Sequence, residues 1–319
     1  MFRSFFIYLS KAAWARKIIT RWGIMRPLAT RFVAGDNLDD AIYAIKTLNQ
    51  KGIYATLDLL GENTTTPDEA RQTTREIIHI LDTINETNVR ANVSVKLTSI
   101  GLALEPALCA ENLNLILERA RQLGNFVRVD MEDSNVTQVT LDIVCQMYEK
   151  GYQNVGIVIQ SCLYRSDKDI ARLVDGGIPV RLCKGAYKEP SSVAFPKKRD
   201  VDLAYDRQTS ALLEGALGHD APPVSSDGRT PPLPALATHD VRRIDYAKNY
   251  AGKLNLPKTA LEFQMLYGIR RDLQDQLAAE GFPVRVYVPY GTEWYPYNMR
   301  RLGERPANLW FIVSNFFRK

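Results

Sequence analysis

The sequence predicts an α/β chain closed into a (β/α)8 barrel. Two observations lead there: eight short β-type runs alternate with amphipathic stretches in unbroken order, and polar residues recur at one parity within the runs. A doubly wound sheet explains eight strands less economically, and no GxGxxG supports it.

The alternation begins after "RFVAGDN" with an amphipathic stretch over 37–50, followed by the run "IYATLD" (53–58), where Thr56 and Asp58 share a parity. The next helix, 67–87, opens with "TPDE": Thr66 can cap, Pro67 fits the first helical position and Glu69 completes a capping box. In "NVSVKL" (92–97), Val93, Val95 and Leu97 lie on one face while Ser94 and Lys96 lie on the other. Helix 106–123 leads to "FVRVDM" (126–131), which pairs Arg128 with Asp130, and helix 134–150 leads to "VGIVIQ" (155–160), ending on Gln160. Helix 167–175 precedes "IPVRLCK" (178–184), which carries Arg181. Helix 199–217 precedes "PALATH" (234–239), the weakest strand of the set. Helices 240–252 and 269–280 flank "ALEFQM" (260–265), with Glu262 and Gln264 in phase. "VRVYVP" (284–289), with Arg285 and Tyr287 in phase, closes the barrel before a last helix near Trp294.

If the apolar face of each strand lies under the outer helices, the polar face points inward. Lys96, Asp130, Gln160, Arg181, Gln264 and Tyr287 then gather toward the carboxyl end, where barrel enzymes keep their chemistry. Unpaired buried charge costs several kcal/mol, so these residues need either mutual salt bridges or a charged ligand.

Composition narrows the class. The 319 residues are 45% hydrophobic, enough for a large core. Cys109, Cys145, Cys162 and Cys183 form no CxxC pair, and no secretory signal is recognisable, which suits a reduced, cytoplasmic chain. His79, His219 and His239 have no metal-ligand spacing, so no metal site is expected. Residues 1–35 hold seven Lys or Arg, no Asp or Glu, and Phe2, Phe5, Phe6, Tyr8, Trp14 and Trp22. This composition suits first a helix packed on the main domain, and second peripheral contact with an anionic membrane surface through residues 1–30; a transit peptide looks similar. The barrel domain is expected over 36–319, and no nucleic-acid partner is expected.

Near the end, "GTEWYPYNMRRLGERPAN" (291–308) sets Arg300 beside Arg301, with Tyr297 three residues before and Glu304 three after. Adjacent guanidiniums on a helix normally diverge, one exposed and one half-buried; the alternative is that both forks reach one anion.

The stretches "RFVAGD", "SVKLTSIG", "VRVDMEDS", "IQSCLYRS", "RLCKGAYKEP", "ATHD", "EFQMLYG" and "VYVPYGTEWYPYNMRRLGERPAN" follow one another over almost the whole chain. In this order they resemble the flavin-dependent proline dehydrogenase family, in particular its monofunctional bacterial members. The proline dehydrogenase domain of proline utilization A is a more distant match.

The resemblance implies a distorted, TIM-like barrel with N-terminal helices and a final helix over the mouth. It implies oxidation of L-proline to Δ1-pyrroline-5-carboxylate, the first step of proline catabolism, with FAD as cofactor and a membrane quinone as electron acceptor. Carried over by position, Lys96, Arg300 and Arg301 bind the substrate carboxylate, Glu304 holds the arginines, and Asp130 buffers Lys96. Tyr187, Leu266, Tyr287 and Tyr297 surround the pyrrolidine ring, and Tyr287 favours proline over hydroxyproline. Arg181 approaches the flavin N5 and Gln160 the pyrimidine edge; Lys184, Gly185 and Ala186 follow the isoalloxazine and phosphates, and Thr238 and His239 the pyrophosphate or ribose. Arg181 and Tyr287 are the expected catalytic residues.

The Pro-rich stretch 218–234 departs from the family pattern and reads as a flexible surface loop near the FAD phosphates. Two rival functions remain at this point: a Schiff-base aldolase using Lys96 or Lys184, and a non-enzymatic binding barrel.

Overall fold

The computed structural model describes residues 31–61, 64–187 and 189–304, with side chains up to Met299. Eight parallel strands close into one barrel in sequence order. They are β1 (Tyr54–Leu59), β2 (Ala91–Val95), β3 (Val127–Val129), β4 (Val155–Gln160), β5 (Val180–Cys183), β6 (Pro234–Ala237), β7 (Glu262–Leu266) and β8 (Val284–Tyr290). A helix, α1 (Leu38–Asn49), precedes β1, and each strand is followed by one of α2 (Pro67–Thr87), α3 (Pro106–Gln122), α4 (Thr137–Glu149), α5 (Ser166–Asp175), α6 (Lys198–Gly218), α7 (Val241–Lys253), α8 (Arg271–Ala279) and α9 (Trp294–Glu304). The N-terminal helices expected over residues 1–30 lie outside the described residues. Among those described, no helix is long and apolar enough to cross a membrane.

Local signals produce the expected elements. The Thr66 side chain accepts from Glu69 N while Glu69 accepts from Thr66 N, and Pro67 occupies the first turn, as the "TPDE" motif requires. Asn37 caps α1 and Asp240 caps α7. The weak sixth strand forms because Pro234 sits at its first position, where a missing N–H costs little, and its neighbours pair with β5 and β7 on either side.

The apolar parity packs outward: Val93, Val95, Val127, Val129, Ile157, Ile159, Phe263, Val286 and Val288 belong to the core under the helices. The other parity fills the barrel with polar groups in two layers. The lower layer, toward the amino ends, contains an ion pair with both partners almost wholly buried: Arg285 Nε and Nη2 donate to Glu262 at 2.8 and 2.9 Å. Arg128, also buried, donates from Nη1 to the carbonyls of Ile157 and Pro179. Gly156 makes room for it, since a Cβ there would come within 2.6 Å of that nitrogen. Inward charge is therefore not confined to the strand ends of the mouth.

The stretch 218–234 differs from its expected role. It joins α6 to β6 and so meets the barrel at the amino end, opposite the mouth. There it closes the bottom. Gly228 O accepts from Arg285 Nη2 at 2.8 Å, and Arg229 O accepts from Asn92 Nδ2 at 2.8 Å. Gly228 has φ +70° and abuts the Tyr54 ring so closely that a Cβ would lie 2.3 Å from it. The segment is a plug tied to strand interiors rather than a loose loop near the cofactor, because its backbone carbonyls are the acceptors that the buried side chains need.

Candidate active site

At the carboxyl end the upper layer forms one connected network centred on Asp130, which stands one residue beyond β3. Its Oδ1 accepts from Ser94 Oγ at 2.6 Å and from Arg181 Nη1 at 2.9 Å; its Oδ2 accepts from the Tyr287 hydroxyl at 2.7 Å. Lys96, one residue beyond β2, donates to Asp58 Oδ1 at 2.7 Å and lies 3.8 Å from Asp130 Oδ2. Arg181 reaches across the barrel: Nε donates to Gln264 Oε1 at 2.5 Å, and the guanidinium carbon stands 5.3 Å from the centre of the Tyr287 ring. Gln264 in turn donates to Glu262, which couples the mouth to the lower ion pair.

Much of the inward charge is thus mutually paired, and the openings in the network matter more than its total charge. Arg181 Nη2 makes no hydrogen bond among the described residues, although Nε and Nη1 are fully engaged. The buried Asp58 Oδ2 likewise receives no hydrogen bond. Burial and the carboxylates of Asp130 and Asp58 push the Tyr287 phenol well above its usual range, so it acts as a donor and not as a base. Burial pushes Asp58 upward too, with Lys96 pulling against it and Asp130 adding to the rise.

The sequence-predicted residues separate into two halves of the rim. Lys96, Asp130, Leu266 and Tyr287 stand on or just after β2, β3, β7 and β8; Gln160, Lys184, Gly185, Ala186, Thr238 and His239 stand on or just after β4, β5 and β6. Arg181 lies at the seam. Gln160 donates to Glu132 O at 2.7 Å, and its Oε1 faces Gly185. Gly185 has φ +101° and no room for a side chain, because a Cβ would lie 2.3 Å from Cys162 Sγ. His239 Nε2 accepts from Leu266 N at 3.0 Å, which places the ring proton of a neutral imidazole on Nδ1 and ties β6 to β7. Burial, and then Cys162, push the Cys183 thiol up to about 12, so it is inert.

Some assignments change in detail. The Lys184 ammonium is taken by Asp202 of α6 and by Asp240, the cap of α7, at 2.5 and 2.7 Å, so a phosphate there has to share it with two carboxylates. Tyr187 is exposed on the rim, whereas Tyr297 on α9 is buried. The side chains of Arg300, Arg301 and Glu304 lie outside the described residues; α9 nevertheless starts at the carboxyl end of β8, and positions 297, 300, 301 and 304 share a face by helical spacing. Asp58 and Ser94 join the network without having been singled out as site residues, and their only sequence signal was strand parity.

The rim fits a flat, extended cofactor. One half offers a glycine cradle at Gly185, and Arg181 at the seam adds its open nitrogen, beside a half lined by charge and aromatic rings. A Schiff-base lysine fits less well, since each candidate ammonium is ion-paired with two carboxylates while that chemistry needs a neutral amine.

A family model described as "Proline dehydrogenase" matches residues 41–313. Proline dehydrogenase 1 of Bacillus subtilis (strain 168) is 40% identical over 319 residues, covering 100% of both chains. Proline dehydrogenase of Deinococcus radiodurans is 40% identical over 295 residues, covering 91% of this chain and 90% of that one. Among solved structures, proline utilization A from Bdellovibrio bacteriovorus, inactivated by N-propargylglycine, superposes with a TM-score of 0.79 at 26% identity. That match covers 95% of this chain and 36% of the larger protein, so the chain spans about a third of it.

Proposed function

We propose, for a chain that belongs to the proline dehydrogenase family, the oxidation of L-proline to Δ1-pyrroline-5-carboxylate with FAD as hydride acceptor and a membrane quinone as the onward acceptor. The division of the rim into a charged, aromatic half and a glycine-cradled half, with Arg181 at the seam, carries this reading.

The residues of the charged half bind and orient. Lys96 takes the proline carboxylate, and Arg300 and Arg301, assigned by the family motif alone, complete the clamp with Glu304 behind them. Asp130 holds Lys96, Arg181 and Tyr287 in register, so the clamp is set before substrate arrives. Tyr287, Leu266 and Tyr297 enclose the pyrrolidine ring and exclude water from C5, with Tyr187 at the outer edge. On the other half, Gln160, Arg181, Gly185, Ala186, Thr238 and His239 hold FAD, and Lys184 does so only while shared with Asp202 and Asp240. When bound, FAD supplies the two-electron acceptor that no side chain can replace.

The visible spectrum tests the reading directly. Purified protein is expected to carry a flavin band that bleaches on anaerobic addition of L-proline. A flavin band that persists moves the substrate to another cyclic amine, and a protein that neither carries nor takes up FAD overturns the assignment.

The basic, aromatic residues 1–30 bring the barrel to the inner face of the membrane where quinone resides, leaving 36–319 as the catalytic domain. Deleting residues 1–30 is expected to abolish sedimentation with anionic liposomes and to slow quinone turnover, while proline still bleaches the flavin. Unchanged liposome binding removes the membrane role.

A further inference from the structure

Lys96 is the ammonium of the network, and it is already committed. Asp58 Oδ1 holds its ammonium at 2.7 Å and Asp130 Oδ2 stands at 3.8 Å. A substrate carboxylate arriving there becomes the third anion around Lys96, with Arg181 spent on Asp130 and with Arg300 and Arg301 assigned, by the family motif alone, to the incoming carboxylate, in a setting where Asp58 is 3% and Lys96 13% exposed. Charges crowded this way do not all remain ionised.

The geometry points to Asp58 as the proton-linked positioning residue of the substrate site: it holds Lys96 inward while the site is empty, and takes up a proton on its unbonded Oδ2 when a carboxylate ligand claims the lysine. The inference rests on the proline dehydrogenase reading for the identity of the ligand.

Each neighbour of Asp58 bears on which carboxylate yields. Asp130 is fixed by three donors, from Ser94, Arg181 and Tyr287, and keeps them when Lys96 is drawn away. Among the described residues Asp58 accepts from Lys96 on Oδ1, Tyr287 adds a weaker pull, and its buried Oδ2 receives no hydrogen bond. From β8, Tyr287 faces the pair as a neutral phenol already spent on Asp130, and Tyr290 is held neutral by burial. Burial already lifts Asp58 before any ligand arrives. The side chains of α9 from Arg300 onward are outside the described residues.

The proton balance is simple. With an amine-free ligand, one proton leaves the solvent and one O–H bond forms at Asp58.

The sign follows from linkage. A ligand that raises the Asp58 pKa binds with proton uptake between the free and bound values, so affinity falls by up to about tenfold per pH unit as pH rises through that window and is flat on either side.

The experiment uses the FAD-loaded full chain and cyclopentanecarboxylate, which has the ring and the carboxylate but no amine. Calorimetric titration in two buffers of different ionisation enthalpy counts protons across pH 6 to 9, and an infrared difference spectrum records any new protonated-carboxyl band. Wild type is expected to take up close to one proton at some pH in that range and to show the band. Asp58→Asn is expected to bind with no uptake and no band, and Asp130→Asn to retain both. Wild type taking up no proton anywhere in the range overturns the proposal even if Asp58→Asn fails to fold, as does uptake that survives in Asp58→Asn. If L-proline fails to bleach the flavin while the proton count holds, the substrate assignment falls and the Asp58 linkage stands.

Discussion

Replacing Lys96 with methionine is expected to raise the KM for L-proline by about a hundred- to a thousandfold, equivalent to roughly 3–4 kcal/mol, while flavin content stays at wild-type stoichiometry. The estimate follows from position. Lys96 stands at the carboxyl end of β2, in contact with Asp58 and Asp130 and 3.4 Å from the Tyr287 hydroxyl, so its loss removes the mouth's central cation and leaves the carboxylates to repel an incoming anion. The cofactor residues sit on or just after β4 to β6; Arg181 shares Asp130 with Lys96 but keeps its bonds to Asp130 and Gln264, so FAD is expected to stay bound. Lys96→Arg is expected to restore only part of the loss, because a planar fork does not replace a point donor held between two carboxylates. Steady-state kinetics with an artificial acceptor, alongside flavin absorbance, checks both expectations. An unchanged KM removes Lys96 from the substrate site.

The second large effect is on stability. Glu262→Gln is expected to cost about 3–5 kcal/mol, because it leaves the Arg285 guanidinium buried without its only carboxylate partner among the described residues. Set against a total stability of about 5–15 kcal/mol, the variant is near the limit of folding. A fall in the urea midpoint with an unchanged slope is the expected signature. The double variant Glu262→Leu with Arg285→Met should recover part of the loss and no more. Arg285 also donates to Ala55 O and to Gly228 O of the plug, and each carbonyl left without a donor costs about 1–3 kcal/mol. A midpoint unchanged in Glu262→Gln would show that the buried pair contributes nothing net.

Legibility in the sequence differs between the elements and the site. The strand runs and helices were readable because they depend on neighbours at short spacing: the "TPDE" cap closes within four residues, and the alternation in "NVSVKL" places Lys96 inward without reference to any other strand. Parity likewise placed Asp58 and Ser94 inward, yet nothing local distinguished them from other buried polar residues. The plug was misread for a related reason. Proline, glycine and serine density marks a loop, but that composition does not record that its carbonyls at Gly228 and Arg229 meet Arg285 and Asn92 from distant strands.

By itself, then, the sequence determined the kinds and order of the elements, which face of each strand turns inward, and the family. All three follow from periodicity or from matching stretches taken one at a time. Only the tertiary structure decided who pairs with whom: Lys96 with Asp58 across 38 positions, Tyr287 with Asp130 across 157, and the loop before β6 as the floor of the barrel. Closing the barrel brings side chains from neighbouring strands, and from strands as far apart as β3 and β8, to within about 3 Å, and hydrogen bonding falls away over less than an ångström, a distance that spacing along the chain does not encode.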